Sequence, residues 1–239
     1  MPMLRVFFIG REVMLLKALQ QCSEVCGVYV QKQKVRPWKL REVLLKNYGL
    51  RQRFRPILRK IRLRKWLRTL ESYTIHDYVK ENRLPYLSAS KINDKQLIGA
   101  IKELNPDLGV VANFGQKVPK TVLQSATYGF INFHPSLLPK YRGPNPIQQV
   151  LLNNETETGV TWHRMEEAFD RGNILSQEKI SVLPTDTDRD LIIRSVETGK
   201  KMLGPLLQSL EQGTCKETSQ DESDGVQTPI CVRHQCCPH

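Results

Sequence analysis

The feature that most constrains the fold is an unbroken run of apolar residues at Leu108–Ala112. Such a run is typical of a strand that is buried on both faces of a sheet. Residues 4–10 also read as a strand, and an amphipathic helix at 12–22 separates them from a second strand at 25–30. This strand–helix–strand order predicts an α/β fold with a parallel sheet and helices on both faces. Gly10 does not belong to a three-glycine fingerprint, which argues against a nicotinamide or flavin site.

A further strand, residues 129–133, carries two polar side chains at its carboxyl end. Side chains alternate along a strand, so Asn132 and His134 point the same way while the phenylalanine between them faces the opposite layer. Open α/β sheets bind ligands at this end of their strands, and Pro135 and Pro139 stiffen the loop that follows. An amide and an imidazole here could stabilise an oxyanion and move a proton. The spacing is equally compatible with a structural asparagine and a hydrogen-bonded core histidine.

Three motifs follow one another in the second half of the chain. They are Asn-x-His-x-Ser-Leu-Leu-Pro-x-Tyr-Arg-Gly at 132–143, Thr-Gly-Val-Thr at 158–161 and Asp-x-Gly at 170–172. Together they resemble the catalytic core of the folate-dependent formyltransferase family, which includes methionyl-tRNA formyltransferase, glycinamide ribonucleotide transformylase and sugar N-formyltransferases. The resemblance covers residues 3–213 and is strongest over 110–177. It implies a Rossmann-like, doubly wound fold with a mostly parallel sheet.

The resemblance also implies a catalytic trio and a formyl donor. Asn132, His134 and Asp170 match the catalytic residues of the family position by position. The implied reaction is attack of a primary amine on the formyl carbon of 10-formyltetrahydrofolate, which acts as a co-substrate. Asn132 and His134 would stabilise the oxyanion, and Asp170 would hold the imidazole and help to carry protons. Without the surrounding motif, an aspartate in such a turn is more typically a turn former.

Binding residues follow from the same resemblance. Backbone groups of the loop after residue 112 would contact the pterin ring, and this loop comprises Gly115, Gln116, Lys117 and Val118. A second segment, which would border the folate, comprises Ser136, Leu137, Leu138 and Pro139. Arg142 would contact the acceptor, whereas His163, on an alternating strand, is expected to be structural. An ordinary strand-to-helix turn remains the alternative for the first loop.

Composition changes sharply over residues 31–70. This segment contains fifteen Lys or Arg residues and one acid, Glu42, so its charge of +14 exceeds the +12 of the whole chain. Apolar residues recur at helical spacing, which predicts an inserted arm of two basic amphipathic helices. The arm could pack on the protein body or on a second subunit in a homodimer. It could instead bind RNA or a nucleotide-linked acceptor through phosphate contacts, or lie on a membrane surface.

We therefore expect a catalytic domain at 1–213, with the basic arm at 31–70 inserted, and a polar, mostly disordered tail at 214–239. The cysteines and histidines near the end of the tail include zinc-ligand types, but no core stands behind them, and we expect no metal site. The chain has no apolar run of about 18 residues, no signal peptide pattern and no disulfide framework among its six cysteines. These features predict a cytoplasmic protein.

The expected function is N-formylation of a small-molecule amine, such as a nucleotide-linked amino sugar or an amino acid derivative. Methionyl-tRNA is the alternative acceptor. Methionyl-tRNA enzymes carry a C-terminal barrel that binds tRNA, and the residues after 213 are too few to form one. A third hypothesis is a non-catalytic RNA- or membrane-binding protein on the same scaffold, against which the intact Asn132, His134 and Asp170 argue.

Overall fold

The computed structural model describes residues 3–31 and 74–221 of the 239-residue chain. Strands and helices alternate in the described residues until the last two strands, which follow each other directly. In chain order the elements are β1 (Arg5–Gly10), α1 (Val13–Cys22), β2 (Glu24–Gln31), α2 (Ile75–Glu81), β3 (Tyr86–Ala89), α3 (Lys95–Leu104), β4 (Leu108–Ala112), α4 (Lys120–Leu123), β5 (Phe130–His134), α5 (Pro146–Leu152), β6 (Glu157–Arg164), β7 (Ile174–Ser181) and α6 (Asp188–Glu211).

The strands form one sheet in the order β3-β2-β1-β4-β5-β6-β7. The first five strands of the chain pair in parallel, whereas β6 runs antiparallel to both of its neighbours, β5 and β7. Because β1 lies between β2 and β4, the direction of winding reverses beside it. The predicted doubly wound, mostly parallel α/β sheet is confirmed.

Helices cover both faces of the sheet because apolar side chains alternate along its strands. On β1, Val6 and Phe8 belong to the core beneath α1, α2 and α6, whereas Phe7 and Ile9 belong to the core beneath α3 and α4. Every residue of β4 is buried, as expected for a central strand between two layers. The carboxyl ends of the central strands therefore emerge between two packed layers.

Most of the predicted basic arm lies outside the described residues. Only Gln31 of the 31–70 segment is described, as the last residue of β2. Residues 222–239, with the cysteines and histidines of the tail, also lie outside them. Within the described ranges, no helix combines the length and apolarity that crossing a bilayer requires.

The beginning of the tail is held against the edge of the sheet. Thr218 and Ile174, the first residue of β7, exchange two backbone hydrogen bonds with N···O distances of 2.8 and 2.9 Å. Glu217 accepts hydrogen bonds from Arg164 Nε at 2.9 Å and from Asn173 Nδ2 at 3.1 Å. The expectation of a disordered tail therefore does not hold for residues 214–221, since the edge strand supplies partners that composition does not reveal.

Gly109 on β4 is a position where an added methyl group should destabilise the fold. A Cβ atom there would lie 2.1 Å from two ring carbons of Phe130 on the neighbouring strand. We expect Gly109→Ala to lower the free energy of unfolding by about 1–3 kcal/mol, the usual cost of overpacking a core. Chemical denaturation measures this loss. Gly99→Ala, on the exposed side of α3 with no atom within 4 Å of the new Cβ, is the control. An equal loss in both variants would contradict the packing explanation.

Candidate active site

A cavity of about 810 Å³ opens at the carboxyl ends of β4 and β5. Its volume lies in the usual range for sites that bind small molecules. Residues after β4 line one side, and the end of β5 and its following loop line another. Residues 165–171 after β6, Glu12 and residues of α6 also line the cavity. This is where open α/β sheets bind their ligands.

Asn132 and His134 both line this cavity, as the alternation along β5 predicts. Phe133 points to the opposite layer, where its ring meets that of Trp162 edge-on with centroids 5.5 Å apart. The imidazole of His134 is buried, and its residue is only 5% exposed. The strand thus presents an amide and a desolvated imidazole side by side.

Asp170 reaches the same place from the turn between β6 and β7. Its φ angle is +53°, in the left-handed region that aspartate and asparagine tolerate better than most residues. Oδ1 accepts a hydrogen bond from Asn132 Nδ2 at 3.3 Å, and Oδ2 lies 3.7 Å from His134 Nδ1. Oδ2 also accepts the backbone N–H of Gly143 at 2.8 Å. The three side chains singled out from the sequence therefore meet at one edge of the cavity.

Hydrogen-bond partners determine which nitrogen of His134 can act as a base. Nε2 lies 2.9 Å from the carbonyl oxygen of Tyr141, and a carbonyl can only accept, so Nε2 carries a proton. In the neutral ring, Nδ1 then holds the lone pair, and it faces Asp170 Oδ2. Once Nδ1 takes up a proton, the neighbouring carboxylate stabilises the imidazolium. This arrangement suits a residue that accepts a proton and passes it on.

Burial and charge set the ionisation of this pair. Burial lowers the pKa of His134 below its usual value, although the Asp170 carboxylate favours the protonated ring. Burial alone would raise the pKa of Asp170. The contact with His163, the charges of both imidazoles and the Gly143 N–H outweigh burial and lower that pKa to about 2. Asp170 is therefore a carboxylate at neutral pH, and His134 is predominantly neutral.

His163 belongs to the same cluster, although the sequence favoured a structural role for it. The antiparallel register of β5 and β6 sets His163 directly opposite Asn132. Its Nε2 lies 3.2 Å from Asn132 Nδ2 and 3.4 Å from Asp170 Oδ1, while Nδ1 donates to the Arg164 carbonyl at 2.7 Å. With no proton on it, His163 Nε2 accepts a hydrogen bond from the amide of Asn132. With a proton on it, the same nitrogen donates to the carboxylate of Asp170. The strand pairing that brings His163 here cannot be read from strand patterns.

The lowered pKa of His134 predicts that acid destabilises the protein. The unfolded chain protonates this histidine as the pH falls through 6.5, whereas the folded protein resists protonation. The stabilisation is therefore present above pH 6.5 and is lost as the pH falls below it. One such proton lowers the free energy of unfolding by up to about 1.4 kcal/mol per pH unit. Denaturant titrations on either side of pH 6.5 measure this slope.

A variant without the imidazole separates this effect from other titrations. His134→Gln should show a shallower slope than the wild type. An unchanged slope in His134→Gln would refute the prediction. Asp170 adds a loss at lower pH, because its stabilisation is present above pH 3.8 and disappears as the pH falls through about 2.

The predicted pterin loop lies at this cavity. Its four residues, Gly115, Gln116, Lys117 and Val118, are all among the lining residues. Gln116 Oε1 accepts the backbone N–H of Ile92 at 3.2 Å, which ties the loop to the segment before α3. The predicted pterin loop and the predicted catalytic trio therefore share one cavity.

The second predicted folate segment does not line the cavity. The loop after β5 contributes Pro135 and residues 142–145 to the cavity lining, whereas Ser136 between them is fully buried. The backbone N–H of Leu138 donates to Thr161 Oγ1 at 3.2 Å, and its carbonyl accepts from Gln177 Nε2 at 2.9 Å. Hydrogen bonds direct this turn toward β6 and β7, and the expected folate contact of Ser136, Leu137, Leu138 and Pro139 stays a prediction.

Arg142, the predicted acceptor contact, lines the cavity and is 4% exposed. Its Nε donates to Gln220 Oε1 at 2.9 Å. The next residue, Gly143, donates its N–H to Asp170. The guanidinium therefore lies beside the loop that holds the carboxylate of the trio.

Fold and site together define a Rossmann-like α/β protein with an amide, two imidazoles and a carboxylate at the edge of a ligand-sized cavity. A family model described as formyl transferase matches residues 59–206. Since this match covers more than half of the chain, the protein belongs to the formyl transferase family.

Curated relatives with similar sequences are methionyl-tRNA formyltransferases. The enzyme of Thermotoga maritima is 38% identical over 151 residues, which cover 63% of this chain and 48% of the relative. The enzyme of Geobacter metallireducens is also 38% identical over 151 residues, with 63% and 49% covered. The chain thus spans about half the length of the curated relatives that it matches.

Solved structures of other formyltransferases share the fold. Phosphoribosylglycinamide formyltransferase from Bacillus halodurans superimposes with a TM-score of 0.63 at 21% identity, covering 86% of this chain and 94% of that one. WlaRD, a sugar 3N-formyl transferase crystallised with dTDP and 5-N-formyl-THF, gives a TM-score of 0.64 at 18% identity, covering 95% and 69%. At these identities the likeness establishes the fold alone.

Proposed function

We propose that this protein transfers a formyl group from 10-formyltetrahydrofolate to a primary amine. The observation that carries the proposal is the convergence of Asn132, His134 and Asp170 at the edge of one cavity, in a chain of the formyl transferase family. An amide donor, a basic imidazole and a carboxylate are the groups that acyl transfer to an amine requires.

We infer a role for each side chain, supported by the geometry of the cluster. His134 Nδ1 accepts the proton that the attacking amine loses, because Nε2 is held as a donor by the Tyr141 carbonyl. Asp170 stabilises the resulting imidazolium across 3.7 Å. Asn132 Nδ2 exchanges one of its two hydrogen bonds, to His163 Nε2 or to Asp170 Oδ1, for a hydrogen bond to the formyl oxygen as negative charge develops there. Protonated His134 then returns its proton to the leaving nitrogen of the donor.

The cavity supports binding of the formyl donor. Its volume of about 810 Å³ is large enough for a pterin-sized ring system, and the loop of residues 115–118 lines it. We assign pterin binding to this loop. The turn of residues 136–139 is left out of the assignment because its backbone groups contact β6 and β7.

We propose methionyl-tRNA as the acceptor. The sequence alone favoured a small-molecule amine, but the curated relatives that match over 63% of the chain act, by name, on methionyl-tRNA. The +14 charge of residues 31–70 supports this choice, since contacts to tRNA phosphates require such charge. A nucleotide-linked amino sugar is retained as a competing acceptor in the test.

An acceptor panel tests the proposal. Purified protein with 10-formyltetrahydrofolate is offered methionyl-tRNA, free methionine and a nucleotide-linked amino sugar, and the formylated products are quantified. We expect turnover of methionyl-tRNA that weakens steeply with salt. Turnover confined to the amino sugar would overturn the proposed acceptor. Absence of transfer to every amine would overturn formyl transfer itself.

A charge-neutralised variant refines this test. In R62Q/R64Q/K65Q, removal of three cations should raise KM for tRNA several-fold. A plot of log KM against log salt concentration should also become less steep, by about one unit of slope per lost phosphate contact. Turnover of a small amine, measured alongside, should not change. An unaltered salt slope would contradict a role of this segment in binding tRNA.

A further inference from the structure

After α6, the last helix among the described residues, the chain returns to the candidate active site. Residues 214–221, here called the return segment, follow α6 and run along the start of β7. Two backbone hydrogen bonds between Thr218 and Ile174 fix the register of this segment. The ion pair between Glu217 and Arg164, at 2.9 Å, fastens it on the other side. This path places Gln220, two residues beyond Thr218, at the turn that carries Asp170.

Gln220 makes three hydrogen bonds at this turn. Its Nε2 donates to the carbonyl oxygen of Asp170 at 2.9 Å and to that of Gly172 at 2.7 Å. Its Oε1 accepts from Nε of the buried Arg142 at 2.9 Å. A side-chain amide provides two donors and one acceptor, so both ends of Gln220 are engaged. One side chain thus joins the carboxylate turn to the predicted acceptor-contacting arginine.

The turn needs an external support of this kind. Asp170 adopts a φ angle of +53°, which an isolated aspartate does not strongly favour. Gly172 is confined as well, because a Cβ there would lie 2.1 Å from the carbonyl oxygen of Arg164. The carboxylate must nevertheless meet Asn132, His134 and the Gly143 N–H at once. Gln220 binds the carbonyl oxygens of Asp170 and Gly172, on either side of Arg171, which fixes the backbone from which the carboxylate projects.

We propose that Gln220 is a positioning residue, which holds the Asp170 turn and Arg142 in their catalytic arrangement. The expected effect of Gln220 on kcat rests on the proposed formyl transfer. Its expected effect on the position of the Asp170 carboxylate does not. Since Gln220 acts through Asp170, its loss should displace the carboxylate without removing any group that reacts. A displacement of about 1 Å at a catalytic group typically costs about 100-fold in rate.

Gln220→Met tests this role, because methionine has a similar length and volume but forms none of the three hydrogen bonds. Ser219→Ala, at the exposed neighbouring position, is the matched control. The first readout is hydrogen exchange at the Gly143 amide, whose N–H donates to Asp170 Oδ2 and so reports where the carboxylate lies. We expect its protection to fall at least about tenfold in Gln220→Met and to remain unchanged in Ser219→Ala.

The second readout is kinetic. Gln220→Met should lower kcat for formyl transfer about 100-fold and change KM for the donor little. In an Asp170→Asn background the same substitution should have almost no further effect on kcat, because the carboxylate that Gln220 positions has already been removed. If Gln220 only stabilised the fold, the fold-losses in kcat of the two single variants would instead multiply in the double variant.

The outcomes are distinguishable. Unchanged protection of the Gly143 amide in Gln220→Met, or multiplying losses with Asp170→Asn, would overturn the positioning role. If protection falls but the wild-type protein transfers no formyl group to any amine, then Gln220 positions the turn and the proposed function fails. Equal loss of protection in Ser219→Ala would show general loosening of the segment and would also overturn the proposal.

Discussion

Asp170→Asn should lower kcat for formyl transfer by about three orders of magnitude while leaving the protein folded. Proton transfer by a positioned group contributes roughly 10²–10⁴ in rate, and the carboxylate supports that transfer here. Its pKa of about 2 keeps Asp170 ionised throughout the neutral range. An asparagine would retain the shape of the side chain but would leave the imidazolium of His134 without its counter-charge.

Steady-state kinetics with saturating donor measures this loss. Asp94→Asn is a suitable control, because Asp94 caps α3 through hydrogen bonds to Gln96 and Leu97 and asparagine caps helices equally well. That variant should retain wild-type activity and stability. Activity of Asp170→Asn within about tenfold of the wild type would show that the carboxylate does not support the proton transfer.

Asn132→Ala should lower kcat by about 10²–10³, the usual effect of removing one oxyanion donor. The substitution also removes the hydrogen bonds from Nδ2 to His163 Nε2 and Asp170 Oδ1, so these two groups lose their shared donor. Because the lost interaction is made in the transition state, kcat and kcat/KM should fall together.

The control for this variant is Asn93→Ala, at an exposed turn position far from the trio in sequence. Kinetics of both variants, with circular dichroism to verify folding, gives the comparison. A rise in KM with unchanged kcat in Asn132→Ala would mean that the amide binds the donor in its ground state, and the proposed oxyanion role would be wrong.

Local sequence patterns correctly predicted strand burial and the direction of side chains along a strand, because neighbouring residues determine both. The apolar run of Leu108–Ala112 required burial on both faces, and this strand lies near the centre of the sheet. Alternation along β5 placed Asn132 and His134 on one face. Asp170 was found only through the resemblance to a family, since an aspartate in a turn is otherwise unremarkable.

Features that depend on long-range pairing could not be predicted in this way. His163 reaches the trio through the antiparallel register of β5 and β6, which no strand pattern specifies. The turn of residues 136–139 leaves the cavity because Thr161 and Gln177, on two other strands, bind its backbone. Gln220 lies 50 residues from Asp170 in a polar segment, and only the edge of β7 gives that segment a fixed path.

The central claim is that the Asn132–His134–Asp170 cluster moves a formyl group onto an amine. Mass spectrometry of the acceptor, after incubation with isotope-labelled 10-formyltetrahydrofolate, tests it most directly. We predict that wild-type protein places the labelled formyl group on the amino group of methionyl-tRNA and that Asp170→Asn does not within the same time. Label that remains in the donor with wild-type protein for every amine offered, or equal labelling by both proteins, would contradict the claim.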